Sequence, residues 1–364
     1  MIFDTSYASI LEKIDRIDPI AYGKDRNYVD GSVSYLSPYI SRGVISTKFV
    51  LDRLLERGFQ MSEIEKFVQE LAWRDYWQQV WITKGEAINQ DLKREQPDIG
   101  NYEIPNALIN ADTGIHIVDQ NIQLLYDSGY VHNHMRMYLA SIACNIAKSH
   151  WHTPAKWMYY HLLDGDWASN ALSWQWVSGA NANKKYYANQ ENINNFFYSK
   201  QKNTFLDVPY EHFESLLIPE ALNSTAKPEL KTSLPRSTEL SIDTALPTLA
   251  YNYYNLDPNW RTDQQANRIL VLDPKVFEQY PVSNKCIDFA MVLSKNISGI
   301  QYFRGSFQQL RETYGLKEIF YKEHPLNQDY QGTEDSRDWM FDVKGYYPSF
   351  FAFWKKCKKE IKQW

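Results

Sequence analysis

The chain has 364 residues, 44% of them hydrophobic and 15% aromatic, and it carries a net charge of −5. This composition provides enough apolar surface for a sizeable core, and the length predicts two domains or one large domain. No run of about 18 apolar residues occurs, so we expect no transmembrane helix and no membrane partner. The N-terminus lacks a basic segment followed by an apolar one, so we expect no signal peptide.

Cysteine usage excludes two further classes of protein. Only Cys144, Cys286 and Cys357 are present, and no two of them form a CxxC pair. This pattern excludes a disulfide framework and a cysteine-rich metal site, and it fits a reducing, cytoplasmic compartment. His132 and His134 lie two residues apart, on different faces of a helix, so no metal site is predicted there either.

The acidic net charge does not indicate a nucleic-acid binder, but a local basic face would be enough to displace counterions from phosphates. The C-terminal run WKKCKKEIKQW, residues 354–364, is the candidate for such a face. The same run is typical of a solvated helix end, which is the interpretation that we favour from the sequence.

Residues 1–215 have the apolar periodicity of α-helices. Ser62 and Glu65 form a predicted capping box, which opens a helix that reaches about residue 82. Further helices are predicted from about Ile117 to Asp127 with Gly129 as the stop, from Val131 to Lys148, from an N-cap at Thr153 to Leu163, and from Asp166 to Val177.

Residues 219–247 are rich in Pro, Ser and Thr, which predicts a linker. After it, short apolar runs (NRILVLDP, GIQYFRG and KEIFYKEHP) alternate with helical segments. This alternation indicates a small α/β domain with a short parallel sheet. We therefore predict a mainly α protein, with a helical domain at 1–218, a linker at 219–247 and the α/β domain at 248–364.

Two segments near the start combine polar and aromatic residues in a way that suits a ligand. Hydroxyls and backbone amides crowd within Gly31–Pro38, just before a helix. Such a helix start binds phosphate, although ordinary capping by Ser37 is the alternative. Glu70, Trp73 and Trp77 share one face of the next long helix, where an aromatic core stripe is the alternative.

Two further segments follow residue 130. Asn133, Arg136 and Met137 place an amide, a cation and a thioether on one helix face, which suits a ligand pocket. An acid, an amide and an indole form a row at i, i+4 and i+8 that offers what a flat heteroaromatic ligand needs: Asp166, Asn170 and Trp174. Helix capping and core packing are the alternatives for this row when it is taken alone.

In this order and spacing, the four segments resemble the FAD-binding domain of the DNA photolyase and cryptochrome family. The matching stretches cover roughly residues 20–180 and read DRNYVDGSVSYLSPYISRGVIS, ELAWRDYW, TGIHIVDQNIQLLYDSGYVHNHMRMYLAS and LLDGDWASNALSWQW. The resemblance implies a helical domain that holds a folded FAD molecule.

The resemblance also implies which residues bind the cofactor. These are Tyr22, Ser34, Leu36, Ser37, Arg74, Asn133, Arg136, Asp164, Asp166 and Asn170. Within this set, Arg136 and Asp164 would pair beside the flavin ring. Asp166 would bond the polar edge of the ring, and Asn170 would lie against its N5 atom.

For substrate and electron transfer, the resemblance implies two more sets of residues. The family's substrate cavity is matched by Glu70, Trp73, Asn133, Met137 and Trp176. Trp174 and Trp151 match the first two members of the family's photoreduction chain, with Asn170 at the flavin. The third member would lie near residues 98–102, where Tyr102 is the candidate substitute for a tryptophan.

These matches predict light-driven repair of pyrimidine dimers in damaged DNA, a lyase reaction that uses an electron from excited reduced FAD. The alternative is a cryptochrome-like blue-light photoreceptor that signals through a partner, and a flavoprotein without photochemistry is a third option. Glu70, Trp73 and Trp176 favour repair, whereas the replacement of two typical arginines by Tyr35 and His134 favours the photoreceptor. The lesion type and the oligomeric state stay open.

The family's usual N-terminal α/β antenna domain has no counterpart ahead of the helical pattern. The C-terminal unit resembles the central part of that domain, because in both a strand ending in Asp-Pro precedes a helix and then a strand with a glycine. An antenna-like domain and an unrelated α/β module are equal alternatives for it. A second bound chromophore is not expected, since the unit has only about 120 residues.

Overall fold

The computed structural model describes residues 3–361, which form mainly α-helices and one five-stranded parallel sheet. The helices are α1 (Tyr7–Asp15), α2 (Pro19–Asp25), α3 (Ser37–Ser41), α4 (Thr47–Glu56), α5 (Met61–Lys84), α6 (Asn106–Asn110), α7 (His116–Ser128), α8 (Asn133–Ser141), α9 (His152–His161), α10 (Trp167–Ser178), α11 (Gln190–Phe197), α12 (Pro274–Gln279), α13 (Asn284–Ser294), α14 (Phe307–Tyr314) and α15 (Phe350–Ile361). The strands are β1 (Ile104–Pro105), β2 (Thr225–Ala226), β3 (Thr248–Tyr251), β4 (Asn267–Leu272), β5 (Ile300–Arg304), β6 (Ile319–Lys322) and β7 (Thr333–Asp335). None of the helices described is long and apolar enough to cross a membrane.

The chain forms two compact units that alternate along the sequence. The first unit contains residues up to Asp18, Ser34–Thr83 and the chain from Lys231 onward. The second unit contains Pro19–Val33 and Lys84–Leu230. The predicted domain boundaries at residues 218 and 247 stay a prediction.

Helix α5 begins one residue before the predicted N-cap. The backbone N–H of Gln60 donates to Glu63 at 2.9 Å, so Glu63 reaches back to the helix start. The predicted capping box of Ser62 and Glu65 is therefore wrong, because Ser62 is already helical. Glu65 instead pairs with Lys358 at 2.8 Å.

The other predicted helices are found with small shifts. Gly129, in the left-handed conformation at φ 70°, ends α7 as expected. Asp166 caps α10, also as expected. The helix predicted to start after an N-cap at Thr153 begins at His152 and ends at His161, so the predicted N-cap is wrong because Thr153 is already helical. The helix predicted for 131–148 is α8, followed by one π-helical turn at Ile142–Ile146.

The parallel sheet has the strand order β5-β4-β3-β6-β7, which is 3-2-1-4-5 when the strands are counted along the chain. This is the order of doubly wound α/β domains. Strands β4, β5 and β6 confirm the predicted strands. β3 and β7 are additions, with four and three residues respectively. The predicted small α/β fold with a parallel sheet is therefore confirmed.

One face of the sheet is packed by apolar side chains from α14. Phe307 and Leu310 of this helix are buried against Ile269 and Val271 of β4 and Ile319 of β6. The central strands β3, β4 and β6 are almost entirely buried, as is typical of a parallel sheet, whereas the edge strands β5 and β7 are partly exposed. The segment that precedes β3 runs beside this sheet. Its residue Thr238 donates from the backbone N–H to the carbonyl oxygen of Tyr302 in β5 at 3.1 Å.

A buried carboxylate connects distant parts of the first unit. Asp75 of α5 accepts hydrogen bonds from the Thr47 hydroxyl at 3.0 Å and from the backbone N–H of Met340 at 3.2 Å. Burial raises the pKa of Asp75 to about 6, although these hydrogen bonds act in the opposite direction.

We expect Asp75→Asn to remove one pH dependence of folding stability. Since the pKa is higher in the folded chain than in the unfolded chain, the folded state holds the proton more tightly between pH 4 and 6. The free energy of unfolding should fall across this window as pH rises, by at most about 1.4 kcal/mol per pH unit, and become flat above it. Urea unfolding from pH 4 to 8 measures this change.

The matched control is Asp52→Asn, at a partly exposed carboxylate on α4 that pairs with Lys48 at 3.6 Å. This variant should retain the wild-type dependence on pH. Parallel stability curves for the wild type and Asp75→Asn would contradict the assignment.

Candidate functional site

In the second unit, an ion pair lies between α8 and the segment that precedes α10. The Nη2 atom of Arg136 donates to Oδ2 of Asp164 at 2.9 Å, and its Nε atom donates to the carbonyl oxygen of Val131 at 2.9 Å. The Asp164 side chain is almost fully buried. The pairing predicted for these two residues is therefore confirmed, and it fixes the guanidinium plane on α8.

Two other predicted residues are also held by hydrogen bonds in this unit. Asp166 accepts from the backbone N–H of Ser169 at 2.8 Å, so its carboxylate caps α10. This is the helix capping expected from the sequence as the alternative to ligand binding. Asn170 donates from Nδ2 to the carbonyl oxygen of Ala155 at 2.8 Å. This bond ties α10 to α9 and sets the orientation of the Asn170 amide.

The predicted ligand residues lie on the open side of an otherwise buried helix pair. On α8, Asn133 is exposed and Arg136 and Met137 are half-buried. On α10, Asn170 is half-buried and Trp176 is 39% exposed, next to the ring of Tyr186 at 5.8 Å. A polar and aromatic face therefore stays accessible in the second unit, whereas Trp174 is buried in its core.

A row of rings leads from the core of the second unit to its surface. Buried Trp151 donates its indole N–H to Asp91 at 2.7 Å, and the ring of His150 lies 5.7 Å away. Tyr102, which is 66% exposed, stacks on His150 at 5.2 Å. Sequence reasoning missed Asp91 and His150, because neither residue lies at a spacing that relates it to Trp151.

The substrate residues predicted in the first unit lie on α5. Trp73 stacks on Phe350 of α15, with ring centroids 3.8 Å apart and planes 11° apart. Its ring is also 5.1 Å from that of Trp77, which is consistent with a shared helix face. Glu70 pairs with Lys66 at 3.0 Å. Phe350 belongs to a segment for which the sequence predicted no role at this site.

The segment around Ser37 has a different local structure from the one predicted. α3 begins at Ser37, and Leu36 is its N-cap without a side-chain hydrogen bond, so the capping alternative for Ser37 is wrong. Tyr35 has a left-handed backbone at φ 53°. Arg74 donates to the Ser41 hydroxyl at 2.8 Å and so connects α5 to α3.

The predicted site residues divide between the two units. The first unit holds Ser34, Leu36, Ser37, Glu70, Trp73 and Arg74. The second unit holds Tyr22, Asn133, Arg136, Met137, Trp151, Asp164, Asp166, Asn170, Trp174 and Trp176. The hydrogen bonds and ring contacts given above each lie within one unit.

Two histidines, His132 and His134, are buried at the start of α8. Burial lowers the pKa of His132 to about 4 and also lowers the pKa of His134. At neutral pH, His134 therefore does not restore the positive charge of the arginine typical of the family. No cluster of three metal-ligating side chains occurs within residues 3–361.

Comparison with known proteins identifies the helical segment. Residues 67–205 match the family model of the FAD binding domain of DNA photolyase. This part of the chain is similar to the FAD-binding domains of DNA photolyases. The match includes α5 from Phe67 onward, α8 and α10, whereas Tyr22 and the Ser34–Ser37 segment precede it.

Curated relatives and solved structures match over part of their length. A deoxyribodipyrimidine photo-lyase of Streptomyces griseus is 32% identical over 165 residues, which are 43% of this chain and 36% of the relative. One from Agrobacterium fabrum is 29% identical over 182 residues, 46% of this chain and 38% of the relative. A cryptochrome structure from Synechocystis covers 54% of this chain and 44% of its own, with 21% identity and a TM-score of 0.48. The chain thus spans about a third of the length of these curated relatives.

The side chains of the second unit fit a flavin in their chemistry. A flavin ring presents both hydrogen-bond donors and acceptors along its polar edge. The half-buried face of α8 and α10 supplies a fixed cation at Arg136 and an oriented amide at Asn170. The carboxylate of Asp164 neutralises the cation within the protein.

We expect Asp164→Ala to destabilise the chain by about 3–5 kcal/mol, because it leaves the charge of Arg136 without its buried partner. Urea unfolding in the absence of flavin measures this loss. The control is Glu12→Ala, which removes an exposed ion pair with Arg16 and should cost less than about 1 kcal/mol. Equal losses in the two variants would contradict the importance of burial.

Proposed function

We propose that this chain binds FAD and uses light to repair pyrimidine dimers in DNA. The observation that carries the proposal is the accessible face of α8 and α10 within a domain similar to the FAD-binding domains of DNA photolyases. On that face, Arg136 and Asn170 suit the flavin, and Asn133, Met137 and Trp176 suit the substrate. The curated relatives that match this domain are deoxyribodipyrimidine photo-lyases, which favours repair.

In this proposal, the cofactor residues of the second unit hold FAD, and bound reduced FAD supplies the electron that splits the dimer. Arg136, held in place by Asp164, would border the ring and offer it N–H donors. Asn170 presents an amide to the ring, and an amide can either donate or accept a hydrogen bond. It therefore serves the flavin in more than one protonation state.

The substrate residues hold a dimer that has left the DNA stack. A damaged dinucleotide stacks poorly, so its extrusion costs only a few kcal/mol. Stacking on an aromatic side chain recovers about 1–3 kcal/mol per base. Trp176 offers an accessible indole for this contact. Asn133, in the same unit, supplies an amide for a base edge.

The row from Trp151 to Tyr102 supplies electrons to the flavin. Trp174 would give one electron to the flavin and take one from Trp151, whose indole proton passes to Asp91 along the 2.7 Å hydrogen bond. Tyr102 then gives one electron to the oxidised indole through the stacked ring of His150 and loses its phenolic proton to water. Asp91 returns the indole proton, so the charge balance of the core is restored.

We expect Trp176→Ala to weaken binding of a dimer-containing oligothymidine by about 5- to 150-fold, because one stacking contact is lost. FAD content should be unchanged. Fluorescence anisotropy measures the affinity, and the flavin absorbance measures the occupancy. Tyr210→Ala, which removes a half-exposed ring elsewhere in the second unit, is the control and should bind like the wild type. Loss of FAD from Trp176→Ala would contradict a role in substrate binding alone.

We expect Tyr102→Phe to slow photoreduction of bound FAD at least tenfold, because phenylalanine keeps the ring but cannot be oxidised under these conditions. Tyr102→Trp should restore the rate. The decay of oxidised flavin absorbance under blue light measures both variants, with Tyr198→Phe as the exposed-tyrosine control. An unchanged rate in Tyr102→Phe would exclude Tyr102 from the chain.

Repair itself is tested with the FAD-loaded protein, blue light and ultraviolet-irradiated oligothymidine. Loss of dimers in the light, with none in the dark, is the expected result. A photoreducible flavin without loss of dimers would replace this proposal by the photoreceptor alternative. Failure to take up FAD would overturn both.

A further inference from the structure

Helix α15 packs along α5 in the first unit. Besides the Phe350–Trp73 stack, the ring of Phe353 lies 5.6 Å from that of Tyr76. At the other end of the pair, Lys358 bonds Glu65 at 2.8 Å. The start of α15 contacts α5 at Trp73 and Tyr76 and its end contacts α5 at Glu65, so the two helices are antiparallel.

The opposite side of α15 presents an aromatic and basic stripe to solvent. Phe351 is 69% exposed, and Lys355 and Lys359 are exposed as well. These residues are spaced i, i+4 and i+8, so they lie on one helix face about 6 Å apart along the axis. The ring of Phe351 lies 5.6 Å from that of Phe350, which continues the row from Trp73 to the surface.

We propose that this stripe, Phe351, Lys355 and Lys359, binds a single-stranded stretch of DNA beside the lesion. The proposal rests on the proposed function for the choice of DNA as substrate. Lysines provide the positive charge that phosphates need, and an exposed aromatic ring provides a platform for a base. The chain is acidic as a whole, so the positive charge on this face is local.

Glu360, the acidic residue of α15, directly follows Lys359 and so lies off the face of the stripe. Glu360 accepts a hydrogen bond from the backbone N–H of Asp342 at 2.9 Å, and Lys358 is engaged by Glu65. Lys356 is a further exposed cation on the same helix. Residues Lys362–Trp364 of the C-terminal basic run lie outside the described residues. The described part of the basic run therefore belongs to a helix whose buried side packs on α5 and whose lysines are exposed or partly exposed, as the interpretation of a solvated helix end predicts.

A single strand fits this face better than a duplex. Bases within a duplex stack on one another and offer no ring face to Phe351, whereas an unstacked base does. The stack of Phe350 on Trp73 holds α15 next to a residue predicted to contact the flipped dimer. The ring of Phe351 lies 5.6 Å from that of Phe350, so a strand that passes over this end of α15 would meet Phe351 first and the two lysines after it.

The test measures dark binding of undamaged oligothymidine to the full chain by fluorescence anisotropy at several salt concentrations. Phe351→Ala should lower the affinity by about 5- to 150-fold. The double variant Lys355→Gln/Lys359→Gln should reduce the slope of log affinity against log salt by about 1.4, since each phosphate contact on a single strand contributes about 0.7.

The charge-matched control is Lys295→Gln/Lys317→Gln, at two exposed lysines away from α5 and α15. It should bind with the wild-type slope, and circular dichroism should show equal folding in all variants. Three results would each overturn the inference. They are wild-type affinity in Phe351→Ala, equal salt slopes in the two double variants, and no binding of oligothymidine by the wild type. Because the assay needs neither flavin nor light, its outcome is independent of whether repair occurs.

Discussion

The buried carboxylate of Asp75 is the constraint on which the first unit depends. It lies in the middle of α5, and its hydrogen-bond donors come from α4 and from Met340, 265 residues along the chain. A buried carboxylate that lost these donors would cost several kcal/mol. The helices that carry Trp73 and the segment that carries α15 are therefore held together by polar bonds as well as by aromatic packing.

In the second unit, too, carboxylates with little exposure to solvent are paired with hydrogen-bond donors. Asp164 is neutralised by Arg136, and Asp91 accepts from Trp151 and from His150. In both places a carboxylate fixes the orientation of a group that the proposed chemistry needs. Buried polar residues at this site thus orient functional groups, which apolar packing alone does not do.

The sequence predicts those parts of the fold that depend on local signals. The end of α7 at Gly129 and the cap of α10 at Asp166 follow from single residues with strong preferences. Strand β3 could not be found this way, because four buried residues directly after a linker show no alternation. Its central position in the sheet is set by pairing with β4 and β6, which no local pattern reveals.

At the candidate site, too, some contacts could be predicted from the sequence and others could not. Arg136 and Asp164 could be paired from the sequence because a family pattern relates them, and the structure confirms the bond. Phe350 lies outside any such pattern, and its contact with Trp73 depends on how two distant helices pack.

The alternation of the two units along the sequence has a consequence for synthesis on the ribosome. Residues of the second unit end at Leu230, so this unit can fold while the rest of the chain is still being made. The first unit needs α15, and at 5–20 residues per second about 15–55 s pass between the synthesis of Trp73 and that of Phe350. During that interval the aromatic face of α5 is uncovered, and a nascent chain in this state is a natural client for a chaperone.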